Sequence, residues 1–370
     1  MKNKLLTFVF TLSTLSLHAY DININGFVNV TAGKSDNNET SIAGYENTKA
    51  TSQRSNADSV KFQPDSLMGL QISSSVSDNF SATLQLIGRY DNDVARMEVE
   101  WAYITYSIER LQVQVGRYRP AIYMYANTQN VAHSYLWTRL PMEVYSTVPI
   151  SYLDGINLIY HYEFKNEITF GAKAFYGNRK SIQTSLGVTY KTIYDDTYGT
   201  ELTLSNDYIN LRMAYAHTTL STIFGTAVVD DIDGLKMDNN KADFYSLGFS
   251  IDYRDVVFIG EIVRRELEPS VAEERMDSYY VTLGYHIDKF TPYISYASLK
   301  AKFANKDNPQ FKPFKGEENH QQSITTGARY DINPSTALKA EWMQTKQAHL
   351  KDKVSDTTTN LYTLSLNLVF

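Results

Sequence analysis

Apolar and polar side chains alternate along most of this chain, and a period of two dictates β-strand. The C-terminal segment shows it clearly: Tyr362, Leu364, Leu366, Leu368 and Phe370 share one face, while Thr363, Ser365 and Asn367 share the other. Ile156, Leu158, Tyr160, Tyr162 and Phe164 alternate in the same way with Asn157, His161 and Glu163. So do Ile209, Leu211, Met213 and Tyr215 with Asn210, Arg212 and Ala214, and Ile22, Ile24, Val28 and Val30 with Asn23, Asn25 and Asn29. These segments run about ten residues, the length a tilted strand needs to cross a bilayer.

The pattern predicts strands over 21–33, 59–73, 80–89, 96–106, 111–119, 155–164, 168–177, 197–204, 208–217, 242–253, 256–264, 277–287, 291–299, 321–332, 337–347 and 360–370, sixteen in all. Their connections alternate in length. Tight turns at 74–79, 107–110, 165–167, 205–207, 254–255, 288–290 and 333–336 separate longer connections, of which 120–154 is the largest and 178–196 another. Turn chemistry fits the short set, as in Ser205-Asn206-Asp207 and Asn333-Pro334-Ser335. Long connections at both ends of the series require an even strand number and put both termini on the short-turn side, the layout of a transmembrane antiparallel β-barrel.

Charge decides which face meets lipid. A Lys or Arg on a lipid face near the midplane costs about 2–4 kcal/mol, so that face must be nearly free of charge. Lys173 opposes Ala172 and Ala174, Arg212 opposes Leu211 and Met213, Arg329 opposes Ala328 and Tyr330, and Lys339 and Glu341 oppose Leu338, Ala340 and Trp342. Glu261 opposes Ile262. The polar face is charged and the apolar face is not, which predicts a wet interior. A soluble sandwich needs the reverse arrangement.

Composition agrees once the barrel is in view. A mean hydropathy of -0.35 is low for a helical membrane protein, but half of each barrel strand faces water. The 28 tyrosines suit interfacial girdles, with Tyr160, Tyr162, Tyr215, Tyr253, Tyr280, Tyr285, Tyr330 and Tyr362 as candidates. The 35 basic residues against 41 acidic ones disfavour nucleic acid as a partner. The absence of cysteine removes disulfides, thiolate metal sites and thiol nucleophiles. At the N-terminus, Lys2 and Lys4 precede an apolar run from Leu5 to Leu17 and a small residue, Ala19. This predicts a secretory signal peptide over 1–19, cleaved after Ala19, followed by a single barrel domain over 20–370.

With its opening Asp21-Ile22-Asn23-Ile24-Asn25-Gly26-Phe27 strand, its sixteen alternating segments, its oversized third external loop and its terminal Phe370, the chain resembles the Gram-negative trimeric porins over the whole mature length. The resemblance implies an all-β, sixteen-stranded outer-membrane barrel whose third external loop folds into the lumen. It also implies a homotrimer in outer-membrane lipid and lipopolysaccharide, and Phe370 as the signal read by the barrel assembly machinery. The function it implies is passive diffusion of small hydrophilic solutes and ions through a water-filled channel.

The loop 120–154 holds Tyr123, Tyr125, Tyr135 and Trp137, followed by Arg139 and Glu143. Those two charges either pin the loop by pairing with each other or the wall, or they touch solute. The rings offer a second reading, a stacking track in a channel selective for sugars. By resemblance, Arg117 in Gly116-Arg117-Tyr118-Arg119-Pro120 joins a basic arc facing the loop. Alternation from Val113 and Val115 aims Arg117 at lipid instead, so its inward placement requires a bulge at Gly116. Arg89 is a further member of that arc, with Lys61 a weaker one. The inward charges expected on the pore wall are thus Arg89, Arg117, Lys173, Arg212, Arg329 and Lys339 against Glu100, Glu261 and Glu341.

Catalytic signatures are missing. The chain has no nucleotide-binding glycine pattern, no His-Glu-x-x-His and no Gly-x-Ser-x-Gly, so an enzyme is not expected. No cofactor is expected either. Asp230-Asp231-Ile232-Asp233-Gly234 resembles half a calcium loop without the closing Glu, which leaves loosely bound Ca2+ on an external loop as the one metal candidate.

Overall fold

The computed structural model describes residues 21–36, 60–63, 65–91, 94–165, 167–185, 188–224, 237–268, 273–303, 318–349 and 357–370. The signal segment and the acidic stretch 230–234 lie outside them. Sixteen strands form one closed antiparallel barrel, each paired with its sequence neighbours and β1 paired with β16. In chain order these are β1 Ile22–Ser35, β2 Leu67–Ser75, β3 Phe80–Asp91, β4 Val94–Ile108, β5 Leu111–Tyr118, β6 Leu153–Glu163, β7 Thr169–Ser185 and β8 Val188–Ser205. The second half comprises β9 Ile209–Phe224, β10 Asn240–Tyr253, β11 Val256–Leu267, β12 Glu273–Tyr285, β13 Phe290–Phe303, β14 Glu318–Asn333, β15 Thr336–His349 and β16 Thr357–Val369. Among the described residues no helix is long and apolar enough to cross a membrane.

Register converts the dyad pattern into two faces. Ile104 pairs with Val115 and Val115 with Ile156, and all three are exposed on the outside of the barrel. The alternate positions point inward. The seam closes through the terminal residue: Phe370 and Gly26 exchange backbone hydrogen bonds of 2.8 and 2.9 Å, and the Phe370 ring lies over Gly26 in the space a Cβ would take. Closure leaves no strand edge open to aggregation.

Two expected boundaries move. The segment predicted to open β2 at residue 59 does not join that strand, which begins at Leu67; Lys61 instead bridges to Gly33 of β1. The stretch 178–196, expected as a loop, mostly extends the β7–β8 hairpin, whose strands reach Ser185 and Val188. Polar side chains at both parities, as in Asn178-Arg179-Lys180-Ser181, blur the dyad there. Tyr253, Tyr285, Tyr330 and Tyr362 are exposed on the outer face as girdle residues should be. Tyr280 is not: it pairs in register with Glu261 and is buried inside the barrel, while its neighbour Tyr279 takes the outer position. Two adjacent tyrosines gave the parity no sign.

The inward loop and the passage beside it

The connection from β5 to β6 folds into the lumen. Backbone hydrogen bonds shape it into 3-10 turns at Ala126–Thr128 and Ala132–Ser134 and one helical turn, α1, over Met142–Tyr145 after Pro141. Its apolar residues then build a core against the inner wall. Ile122, Leu136, Leu140 and Val144 of the loop pack with Val257, Ile259, Val263, Tyr280, Tyr293 and Ala297 of β11–β13. The rings interlock: Trp137 meets Tyr280 edge-on at 5.4 Å and Tyr125 at 5.9 Å, and Tyr123 meets Phe244 at 5.2 Å. Tyr123, Tyr135 and Trp137 are therefore buried, Trp137 to 1% exposure, and Tyr125 is half-buried between two of these rings. Three of the four rings expected to form a sugar track are thus packed into the loop's own core. Burial pushes the Tyr123, Tyr135 and Tyr145 phenols above their ordinary range, so they stay neutral donors.

The charges expected to line the pore mostly hold this loop. The Lys339 ammonium, fully buried, donates to the carbonyls of Ala132 at 2.5 Å, Tyr135 at 2.6 Å and Trp137 at 2.7 Å. Arg329 donates to the carbonyls of His133 at 2.6 Å and Tyr135 at 3.1 Å. Arg212 reaches the Ala121 carbonyl at 2.6 Å while paired with Glu201, also at 2.6 Å. Glu261 accepts from the Met124 backbone N–H and the Tyr145 hydroxyl, both at 2.9 Å. Glu341 accepts from the Thr138 and Tyr293 hydroxyls. Hydrogen bonds to charged groups contribute roughly 1.5–3 kcal/mol each, so the loop is fixed along β9, β11, β14 and β15. His133 sits between Arg329 and Lys339; burial first, then those two cations, holds its imidazole below the usual 6.5.

The loop's own charges also pin it. Glu143, buried, accepts from Ser323 at 2.8 Å and Gln321 at 2.9 Å of β14. Arg139 forms a two-pronged pair with Asp65, at 2.8 and 2.6 Å, which ties the loop to the segment before β2. Asn29 of β1 donates to the Asn130 carbonyl at 2.8 Å.

Arg117 is a correction. β5 keeps unbroken register through Gly116 with both neighbours, so alternation holds and Arg117 stays on the outer face. There it pairs with Asp154 at 2.8 Å and stacks 3.8 Å over the Tyr152 ring. The bulge lies on β4 instead, between the partners of Gln85 and Leu86, and it leaves Glu100 unpaired in the ladder. Glu100 turns to Arg119, which also binds Gln129 at 2.7 Å. Sequence reasoning missed Arg119, Asp65, Glu201 and Asn29. Arg119 had one usable signal, its place just before Pro120 where the strand must end.

Lys173 pairs with Glu201 at 2.6 Å and keeps partial exposure. Arg89 stands apart from the anchors on β3, 3.9 Å from Glu98. With Asn29, Asp65, Leu67, Arg139 and Tyr145 it lines a cavity of about 290 Å3 between the loop and the β1–β3 wall.

A closed barrel with an apolar outer band, a charged interior and a loop clamped across its lumen defines an outer-membrane channel protein. The family model described as "Gram-negative porin" matches residues 7–350, and the chain belongs to that family. It is an outer-membrane porin: a channel for passive diffusion of small hydrophilic solutes and ions. Solved structures repeat the fold. Outer-membrane-expressed OmpT of Vibrio cholerae superposes with a TM-score of 0.60 at 12% identity, over 95% of this chain and 98% of that one. The channel DcaP of Acinetobacter baumannii gives 0.59 at 13%, over 95% and 97%. An anion-selective porin from Comamonas acidovorans gives 0.59 at 13%, over 95% and 100%. A comparison with curated protein sequences returns no match.

Proposed function

We propose that solutes cross through the gap between the clamped loop and the wall formed by β1–β6, and that Arg89 with the Arg139–Asp65 pair sets its field. The observation that carries this reading is the distribution of anchors. Lys339, Arg329, Glu261, Arg212 and Glu341 seat the loop against the β9–β15 side, while the cavity lined by Arg89 lies on the β1–β3 side, where Asn29 and Asp65 also hold the loop. In this reading Lys173, partly exposed and paired with Glu201, adds to the field, and the buried anchors bear on selectivity only through the loop they hold. Field lines concentrate where a narrow aqueous path meets low-dielectric walls, so a few exposed charges dominate.

The working unit we propose is a homotrimer in lipid and lipopolysaccharide. Support comes from OmpT of Vibrio cholerae, which has been solved in a trimer form. Residues 1–19 would be removed after Ala19, the barrel assembly machinery would read Phe370, and the channel would need no cofactor and perform no enzymatic reaction. Reconstitution in a planar bilayer tests the core of this reading. Stepwise current is expected; purified, folded protein that inserts without current would overturn it.

A further inference from the structure

The wall opposite the clamped loop has its own chemistry. Among the described residues, no inward position of β1, β2 or β5 carries a charge; the inward faces run Asn23, Asn25, Phe27 and Asn29 on β1, Gly69 and Gln71 on β2, and Gln112 and Gln114 on β5. Register aligns these amides across strands. Asn25 pairs with Gln71, Gln71 with Gln85, and Gln114 with Asn157. The side chains fix one another: Gln85 donates to Gln71 at 3.0 Å, and Asn157 donates to Gln114 at 2.9 Å. Each such bond uses one donor on one amide and one acceptor on the other. The Gln71 NH2 group keeps its donors, and the Gln114 amide also bonds the Tyr103 hydroxyl. Between the two amide pairs stand Trp101 and Tyr103, half-buried, with ring centroids 6.4 Å apart. The Trp101 indole N–H has no hydrogen-bond partner.

We infer that this neutral arc is a recognition track for uncharged polyhydroxylated solutes, of the chemical class of short oligosaccharides, with the half-buried Gln71, Gln114, Trp101 and Tyr103 as its contacts and the buried Gln85 and Asn157 holding the two glutamines in place. The inference rests on the channel reading above and names the solute class that the channel favours. A carboxamide offers donor and acceptor in equal measure, as a hydroxyl does, so a chain of hydroxyls can exchange one amide partner for the next without an unpaired step. These amides give a charged solute no counter-charge; the wall's charges stand elsewhere, Arg89 beyond Gln85 on β3 and Glu100 on β4, where it pairs with Arg119. Ring faces accept the C–H face of a sugar. The amides are held by each other, so little side-chain freedom is lost on binding. Merely solvated wall residues would need neither that mutual bonding nor the ring pair between them.

The test is current block in planar bilayers, with maltotetraose as the neutral probe and tetragalacturonate as an acidic one of equal length. Maltotetraose is expected to block saturably and more tightly than tetragalacturonate. Gln71→Leu and Gln114→Leu, on separate strands, are each expected to raise the half-blocking concentration about fivefold to tenfold, measured against each variant's own open current. Trp101→Phe shrinks the ring face and should weaken block to a smaller extent. Three results would overturn the inference while leaving the channel intact: unsaturable reduction of current, block indifferent to these substitutions, or equal block by the acidic probe. A complete lack of current would instead sink the channel reading itself.

Discussion

At the scale of single residues, burial and hydrogen bonding decide whether a lumen charge meets solute or holds structure. Arg139 is the informative case, because it does both: it ties the loop to Asp65 and it lines the cavity beside Arg89. Arg139→Ala leaves the Asp65 carboxylate at the passage without its counter-charge. The reversal potential in a salt gradient should therefore move toward cations, and an unmoved potential would put the pair off the ion path. His133 gives a pH dependence. Its folded value lies below 6.5, so the released loop takes up a proton more readily than the docked one. Docking is fully favoured above 6.5 and weakens as pH falls through the folded value. Open-channel current should be quiet near neutral pH and noisier at about pH 5, and His133→Gln should remove most of that difference. Arg117 shows what could be read in advance. Strict alternation aimed it outward, the structure agrees, and only the resemblance argued for an inward turn. Arg119, two residues on, fills the inward role because β5 ends at Tyr118 and no longer fixes its side.

At the scale of elements, period and turn length made nearly every strand legible, since a barrel strand must alternate to satisfy lipid on one side and water on the other. The exceptions share a cause. The β7–β8 hairpin runs beyond its predicted ends through residues such as Asn178, Lys180 and Thr192, and the opening of β2 was extended into a segment that pairs elsewhere. Where no lipid selects one face, the alternation that marks a strand lapses. Gly116 tests the local geometry of β5. Its φ of +133° disfavours any L side chain, and a Cβ there would overlap the Ala102 carbonyl oxygen. Gly116→Ala should destabilise the β4–β5 pairing by about 1–3 kcal/mol, read as a lower temperature for heat-modifiable mobility on a gel. The seam makes a second test. Deleting Phe370 removes both of its backbone hydrogen bonds to Gly26 and the ring over it. Slower appearance of the folded band in a refolding time course is expected, and an unchanged rate would count against a role for the terminal residue in closure.

At the scale of the molecule, the barrel, its strand number and its wet interior follow from a two-residue period and the cost of charge in lipid. The division of labour inside does not. A period of two says that Lys339, Glu261 and Arg212 point inward, but whether each meets water or a loop depends on how residues 119–152 fold, and no period encodes that. Lys339→Met examines the division directly. It strips the donor from three loop carbonyls, each costing roughly 1–3 kcal/mol when left unpaired. The single-channel record of this variant beside the wild type is the most direct measurement of whether wall charges are loop anchors. Larger or noisier conductance with little change in reversal potential is the predicted result. Unchanged conductance with a clear shift of reversal potential toward cations would mean that Lys339 faces the permeating ions, and would contradict the account.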